Sequence, residues 1–239
     1  MKIETFGDKS KPAFVAIHPM FTGGFFIDKL IEICGDDYYF IVPTMSGHYE
    51  NSEYVSREDE ENTIAEFLKS NGIEKVAVLL GFSLGGNMAF DMYAQNLVNA
   101  DKVIIDSAPL FNFPKIIRNY FHNRYKRCLK KIKTNGADVA KELNKCFNGM
   151  GEVQKDVAPT VSFESLKNLV VGCFGVEVPK MSEEKQSAII FVYGSKDEAK
   201  LCLSRVRKYK KARIVSLKGY RHCGLYQSNA TEYVEKFIK

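Results

Sequence analysis

The chain has 239 residues, of which 45% are hydrophobic and 26% charged, and a formal net charge of +5. That composition suits one folded core near the upper size limit and excludes collagenous, disordered and low-complexity classes. No apolar run approaches the roughly 20 residues of a membrane span, and the opening Met1-Lys2-Ile3-Glu4-Thr5 has no apolar signal stretch, so a cytoplasmic protein is expected.

In chain order, short runs rich in β-branched and aromatic residues predict strands at 14–17, 39–42, 76–80, 103–105, 189–192 and 213–217. Ser56 with Asp59 and an acidic run predicts a helix start, carried on by Ile64, Phe67 and Leu68 and ended by Gly72. Residues 84–97 and 231–238 also read as helices. The alternation predicts an α/β fold, a mostly parallel central sheet flanked by helices. Residues 109–181 break it: the pattern there is helical, with no convincing strand. Between residues 110 and 181, 13 Lys and Arg face 6 Asp and Glu, so this segment carries +7 and the remainder −2. The expected organisation is a core of residues 1–109 and 182–239, with a helical cap of residues 110–181 over the crevice where such sheets bind ligands.

Cysteines 34, 128, 146, 173, 202 and 223 form no Cys-x-x-Cys pair and no zinc-ligand spacing. Reduced thiols are expected, with no metal and no cofactor.

The sharpest motif is Gly81-Phe82-Ser83-Leu84-Gly85-Gly86, directly after a predicted strand and directly before a predicted helix. A nucleophilic serine on such a turn stands clear of the sheet, flanking glycines admit neighbouring backbone, and the helix start offers free N–H groups to an oxyanion. The competing reading is a tight turn with an incidental serine.

On this motif the chain resembles the α/β-hydrolase superfamily over nearly its whole length, as a capped serine hydrolase. The resemblance implies that the acid and the histidine follow the nucleophile. Gly194-Ser195-Lys196-Asp197 is similar to the acid-bearing loop and Gly219-Tyr220-Arg221-His222 to the histidine loop, which implies a triad of Ser83, Asp197 and His222. Asp106, at the end of another predicted strand, ranks second as the acid, and Glu198 is a weaker substitute. His18-Pro19-Met20-Phe21-Thr22-Gly23-Gly24 resembles the family's His-Gly-x-Gly loop, implying an oxyanion hole from the N–H groups of Met20 and Leu84. Pro19 stands where the family has Gly, so Phe21 stays open as a donor, and His18 reads as a structural hydrogen-bonder. The stretch from Pro43 to Ser52 is similar to the family's P-D-x-x-G-x-G-x-S loop but has Thr44 and Tyr49 in place of its Asp and second Gly, and serves as fold evidence only. His48 and His122 read as ordinary surface or cap residues.

Phe21, Phe111 and Tyr120 are the expected substrate contacts, with Phe113, Phe121 and Tyr125 as further pocket candidates or packing within the cap. Arg118, Arg124, Lys126, Arg127, Lys130, Lys131 and Lys133 are either solvated helix faces or a field that steers an anionic small-molecule substrate. No helix-turn-helix or RNP-like pattern is visible, so neither nucleic acid nor membrane is an expected partner, and oligomeric state stays open. Three functions fit: a hydrolase of a small carboxylic ester or thioester acting through an acyl-enzyme, a C–C hydrolase or carboxylate-eliminating lyase with the same triad, and a non-catalytic ligand-binding protein on this fold.

Overall fold

In the computed structural model, which describes residues 1–134 and 138–239, each predicted strand forms. The strands are β1 (Lys2–Phe6), β2 (Ala13–Ile17), β3 (Tyr39–Thr44), β4 (Val76–Phe82), β5 (Ala100–Asp106), β6 (Ile189–Gly194) and β7 (Arg213–Leu217). They make one sheet in the order β1-β3-β2-β4-β5-β6-β7, parallel throughout except for β1, which pairs antiparallel with β3. Only β1 escaped the sequence reading. It is a largely exposed edge strand whose Lys2, Glu4 and Thr5 interrupt any apolar run.

The inner strands are apolar at almost every position because both faces are covered. Along β2, Phe14 and Ala16 join one core with Leu30 and Cys34 of α1 (Asp28–Cys34), while Val15 and Ile17 join the other. The second core takes Ile64 and Leu68 of α2 (Arg57–Ser70) and Met88 and Phe90 of α3 (Leu84–Ala94). As the Ser56–Asp59 pattern predicts, Ser56 caps α2 by accepting the Asp59 N–H.

Between β5 and β6 the chain supplies α4 (Lys115–Thr134), α5 (Val139–Phe147), α6 (Gly151–Gln154), α7 (Phe163–Phe174) and α8 (Glu183–Ser187). Extended pairing among the described residues of this insertion is limited to one bridge, Asn112 with Gly175. Helix starts are marked by Asp138, Ser162 and Ser182, each of which accepts an N–H from the first turn. Tyr125, Cys128, Leu129 and Ile132 form the buried stripe of α4.

Helix α7 is tied to the core. Arg57 donates Nη1 to the Gly172 carbonyl (2.9 Å) while Nη2 meets Asp91 (2.6 Å) and Nε meets Glu61 (3.0 Å). Asn87 Nδ2 donates to the Cys173 carbonyl at 2.8 Å. After β6 come α9 (Leu203–Val206), α10 (Gly224–Ser228) and α11 (Ala230–Phe237), the last packed beside α1. Among the described residues, no helix is long and apolar enough to cross a membrane.

Candidate active site

In the sheet order, β2 lies between β3 and β4, so the chain reverses its direction of progress there. The loops after β2 and β4 therefore meet at the carboxyl edge, the usual crevice of an open α/β sheet. Strand β4 ends at Phe82 and α3 begins at Leu84, leaving Ser83 alone to make the turn. Its φ of 53° and ψ of −113° are costly for a residue with a Cβ, about 1–3 kcal/mol. The turn closes because its glycines permit it: a Cβ on Gly81 would strike the Gly85 carbonyl, and one on Gly85 would strike that of Ile17. Ser83 N–H donates to Asp106 O (2.8 Å) and Ser83 O accepts from Asn87 N–H (3.0 Å), so the backbone is held while the hydroxyl makes no capping bond to the helix.

The β2 loop is held by His18. Met45 N–H donates to His18 Nε2 at 3.0 Å, so the ring proton sits on Nδ1, 2.8 Å from the Pro19 carbonyl. The Thr22 hydroxyl donates to the same carbonyl at 2.8 Å. Burial, with the nearby His48 ring adding to it, pushes the His18 pKa down to about 3, and the ring is neutral. In a planar trans peptide the Pro19 C=O and the Met20 N–H point oppositely, so anchoring the carbonyl toward His18 turns the Met20 N–H away from it. Among the described residues no acceptor meets the N–H of Met20 or of Leu84. Thr44, where the resembling loop has Asp, receives the Gly24 N–H at 3.0 Å.

Asp197 follows β6 and is 1% exposed; its Oδ1 accepts the Ala199 N–H at 3.0 Å and lies 2.9 Å from His222 Nδ1. His222 sits between β7 and α10, its loop fixed by Cys223 N–H donating to Ser107 Oγ (2.9 Å) and Gln227 Nε2 donating to the His222 carbonyl (2.9 Å). Burial opposes the His222 imidazolium, but the charge and hydrogen bond of Asp197, with Asp106 and Glu198 beyond, hold its pKa above the usual 6.5. Burial likewise opposes ionisation of Asp197, and His222, the Ala199 N–H and Ser107 outweigh it, keeping its pKa low. A proton on Nδ1, shared with a carboxylate, leaves Nε2 as the basic nitrogen.

Asp106 makes no hydrogen bond to His222. It lies behind, accepting from the Ser107 hydroxyl at 2.7 Å, and burial raises its pKa to about 7. Ser107 in turn supports Cys223, so Asp106 reaches the histidine loop only through a neighbour.

Ser83, His222, Asp197 and Met20 line one cavity of about 180 Å³. Phe111, expected there, lines it, as do Phe113, Phe121 and Tyr125. Two expected contacts lie elsewhere. Phe21 is fully buried behind the wall, edge-on to Phe147 with ring centroids 5.2 Å apart, and Tyr120 is 59% exposed on the outer face of α4. His48, expected at the surface, is instead buried edge-on to His18 (5.2 Å), where desolvation lowers its pKa to about 4. His122 is half-buried on α4. None of the insertion's lysines or arginines lines the cavity. Sequence reasoning gave no warning of Gln154, a buried side chain in the lining whose Nε2 donates to the Met20 carbonyl at 2.9 Å. Among the described residues no group of three or more His, Cys, Asp or Glu side chains is arranged to hold a metal ion.

No family model matches the sequence, and no curated protein matches it. Solved structures do resemble it. An alpha/beta hydrolase family protein from Desulfitobacterium hafniense aligns with a TM-score of 0.76 and 15% identity over 98% of this chain and 97% of that one. The enol-lactonase from Burkholderia xenovorans LB400 aligns with a TM-score of 0.74 and 14% identity over 99% and 95%. A thermophilic esterase from Thermogutta terrifontis aligns with a TM-score of 0.72 and 14% identity over 98% and 91%. With the parallel sheet, the single-residue turn at Ser83 and the helical insertion between β5 and β6, these likenesses establish that the chain has the α/β-hydrolase fold.

Proposed function

We propose that the chain is a serine hydrolase that cleaves a small carboxylic ester or thioester through an acyl-enzyme on Ser83. The observation that carries this reading is a strained serine, its hydroxyl making no bond to its own helix, that shares one cavity with a histidine whose Nδ1 is committed to a buried carboxylate 2.9 Å away. His222 takes the Ser83 proton as Oγ attacks the carbonyl carbon, and returns it to the alkoxide or thiolate that leaves. Water, deprotonated by the same nitrogen, then releases the acid. Asp197 fixes the tautomer and stabilises the imidazolium, while the N–H groups of Met20 and Leu84 receive the oxyanion. The helical insertion acts as a cap that excludes water from the acyl group. Neighbours of the same fold include esterases and an enol-lactonase, which is consistent with hydrolytic chemistry.

Fluorophosphonate labelling tests the reading. Wild-type protein should be modified at Ser83, and Ser83→Ala should lose both label and turnover, by up to about a millionfold, with an unchanged circular dichroism spectrum. Labelling that survives in Ser83→Ala refutes the assignment. Product analysis separates hydrolysis from C–C cleavage or elimination.

A further inference from the structure

We propose that the cavity takes an uncharged, apolar substituent about the size of a benzene ring, so that arylacetyl and comparable neutral esters are the substrate class and acidic esters are rejected. This rests on the reading of Ser83 as nucleophile. The walls contributed by the insertion are mostly aromatic, beside the amides of Asn148 and Gln154: Phe111 stacks on Phe113 (4.6 Å between centroids), Phe121 on Phe174 (4.5 Å), and Tyr125 lies against Phe147 (4.6 Å). The acidic residues in the lining are Asp197 and Glu198, and no lysine or arginine joins them. A substrate carboxylate would lose its water against ring faces of negative quadrupole and beside two acids, with no lysine or arginine to pair with and with His222 already committed to Asp197. The cavity, at about 180 Å³, is in the size class of an apolar cavity of roughly 150 Å³ that binds benzene.

None of the insertion's lysines or arginines lines the cavity. Lys126, Arg127, Lys130, Lys131 and Lys133 are exposed, and Arg124 donates to the Lys145 carbonyl (2.9 Å) and engages the lining thiol of Cys146. Exposed charges at such positions are screened within about 8 Å at physiological ionic strength.

The test is a matched pair, methyl phenylacetate and its 4-carboxyphenyl analogue, followed by proton release in a pH-stat. The neutral ester should have a kcat/KM about 100-fold higher, with little dependence on salt. Leu201→Arg, at a lining residue that is 69% exposed and able to accept a polar head without disturbing the core, should raise kcat/KM for the acidic ester about tenfold. Equal or reversed preference, or no gain in Leu201→Arg, overturns the inference. If the fluorophosphonate still labels Ser83 in that case, the hydrolase reading stands and the substrate class alone falls; if it does not, both fall.

A different contact carries a second inference: the geometry points to Gln154 as a positioning residue for the oxyanion donor. His18 and Thr22 hold the Pro19 carbonyl from the core side, and Gln154 holds the Met20 carbonyl from the insertion (2.9 Å). The peptide planes on both sides of Met20 are thereby fixed, and with them the direction of its N–H. Gln154 is 2% exposed, and its Oε1 has no partner, so the bond to Met20 is what its buried amide makes. Gln154→Met, which keeps the volume, should lower kcat about tenfold with KM nearly unchanged, and should weaken a trifluoromethyl ketone inhibitor by the same factor. Gln154→Asn, too short to reach, should behave alike. A loss confined to KM or to thermal stability, or no loss of inhibitor affinity, overturns the assignment.

Discussion

The carboxyl edge of the sheet and the helical insertion face each other across one cavity, and they are built to different tolerances. On the sheet side the loops after β2, β4, β6 and β7 carry Met20, Ser83, Asp197 and His222, fixed by backbone and buried polar contacts such as Ser83 N–H to Asp106 O at 2.8 Å. A hydrogen bond loses its value over a few tenths of an ångström, so this side is held in one arrangement. The insertion meets it with aromatic rings whose contacts range from 4.5 Å stacks to 6.0 Å tilted pairs, and such surfaces shift at small cost. On the proposed reading the difference says where to look for each effect: chemistry on the strand ends, choice of substrate on the helices, and Gln154 as a contact between the two at the cavity itself, beside the Arg57 and Asn87 ties farther out.

The comparison is most exposed to substitutions at the strand ends. Asp197→Asn should lower kcat by about 10⁴-fold, because it leaves His222 in the wrong tautomer. Asp106→Asn should cost far less, since Asp106 reaches that loop only through Ser107. A larger loss from Asp106 than from Asp197 would reverse the roles of the two acids.

The pH profile sharpens the same point. The His222 pKa lies above 6.5 in the folded protein, so kcat/KM should rise with pH through a value above 6.5 as the base loses its proton. Removing the Asp197 charge should move that midpoint down. An acid limb that does not respond to Asp197→Asn would detach His222 from it.

Arg57→Met tests the seam between the regions. It strands Glu61, Asp91 and the Gly172 carbonyl, and should cost about 3–5 kcal/mol in urea unfolding while Ser83 keeps its reactivity in the surviving folded fraction. Next in size, Phe121→Ala should raise KM for aryl esters about tenfold and leave kcat within a few-fold. A fall in kcat as large as that of Asp197→Asn would erase the division between the two walls. Smallest of all, Lys130→Glu should change stability by less than about 0.5 kcal/mol, because the residue is exposed.

Much of the sheet side was legible because its signals are local. The runs at 76–80 and 189–192 are apolar on both faces, and the glycines around Ser83 mark a turn that other residues cannot close. Asp197 and His222 were legible only through the resemblance, on the loops at 194–197 and 219–222, and the structure brings those two side chains to 2.9 Å. The insertion was legible as helices but not as a surface. Tyr120 and Phe121 differ by about 100° around α4, and only helical phase tells them apart. Phe121 continues the buried Tyr125, Cys128 and Ile132, whereas Tyr120 lies with exposed Ile116. That phase was available in the spacing. The burial of His48 and the reach of Gln154 to Met20 were not, because each depends on a partner distant in sequence, 134 positions away for Gln154.

The Arg57 tether has a mechanical consequence. Swinging α7 outward would pull the Gly172 carbonyl from a guanidinium that also serves Glu61 and Asp91, and would open charged groups that are at most 15% exposed. A hinged lid, with its microsecond-to-millisecond excursions, is therefore the expensive way into the cavity. Leu201, lining the cavity and 69% exposed, offers a cheaper one, since an exposed side chain changes rotamer in picoseconds to nanoseconds. On the proposed hydrolase reading, entry and exit of small esters should then be fast beside bond making, and turnover indifferent to solvent viscosity.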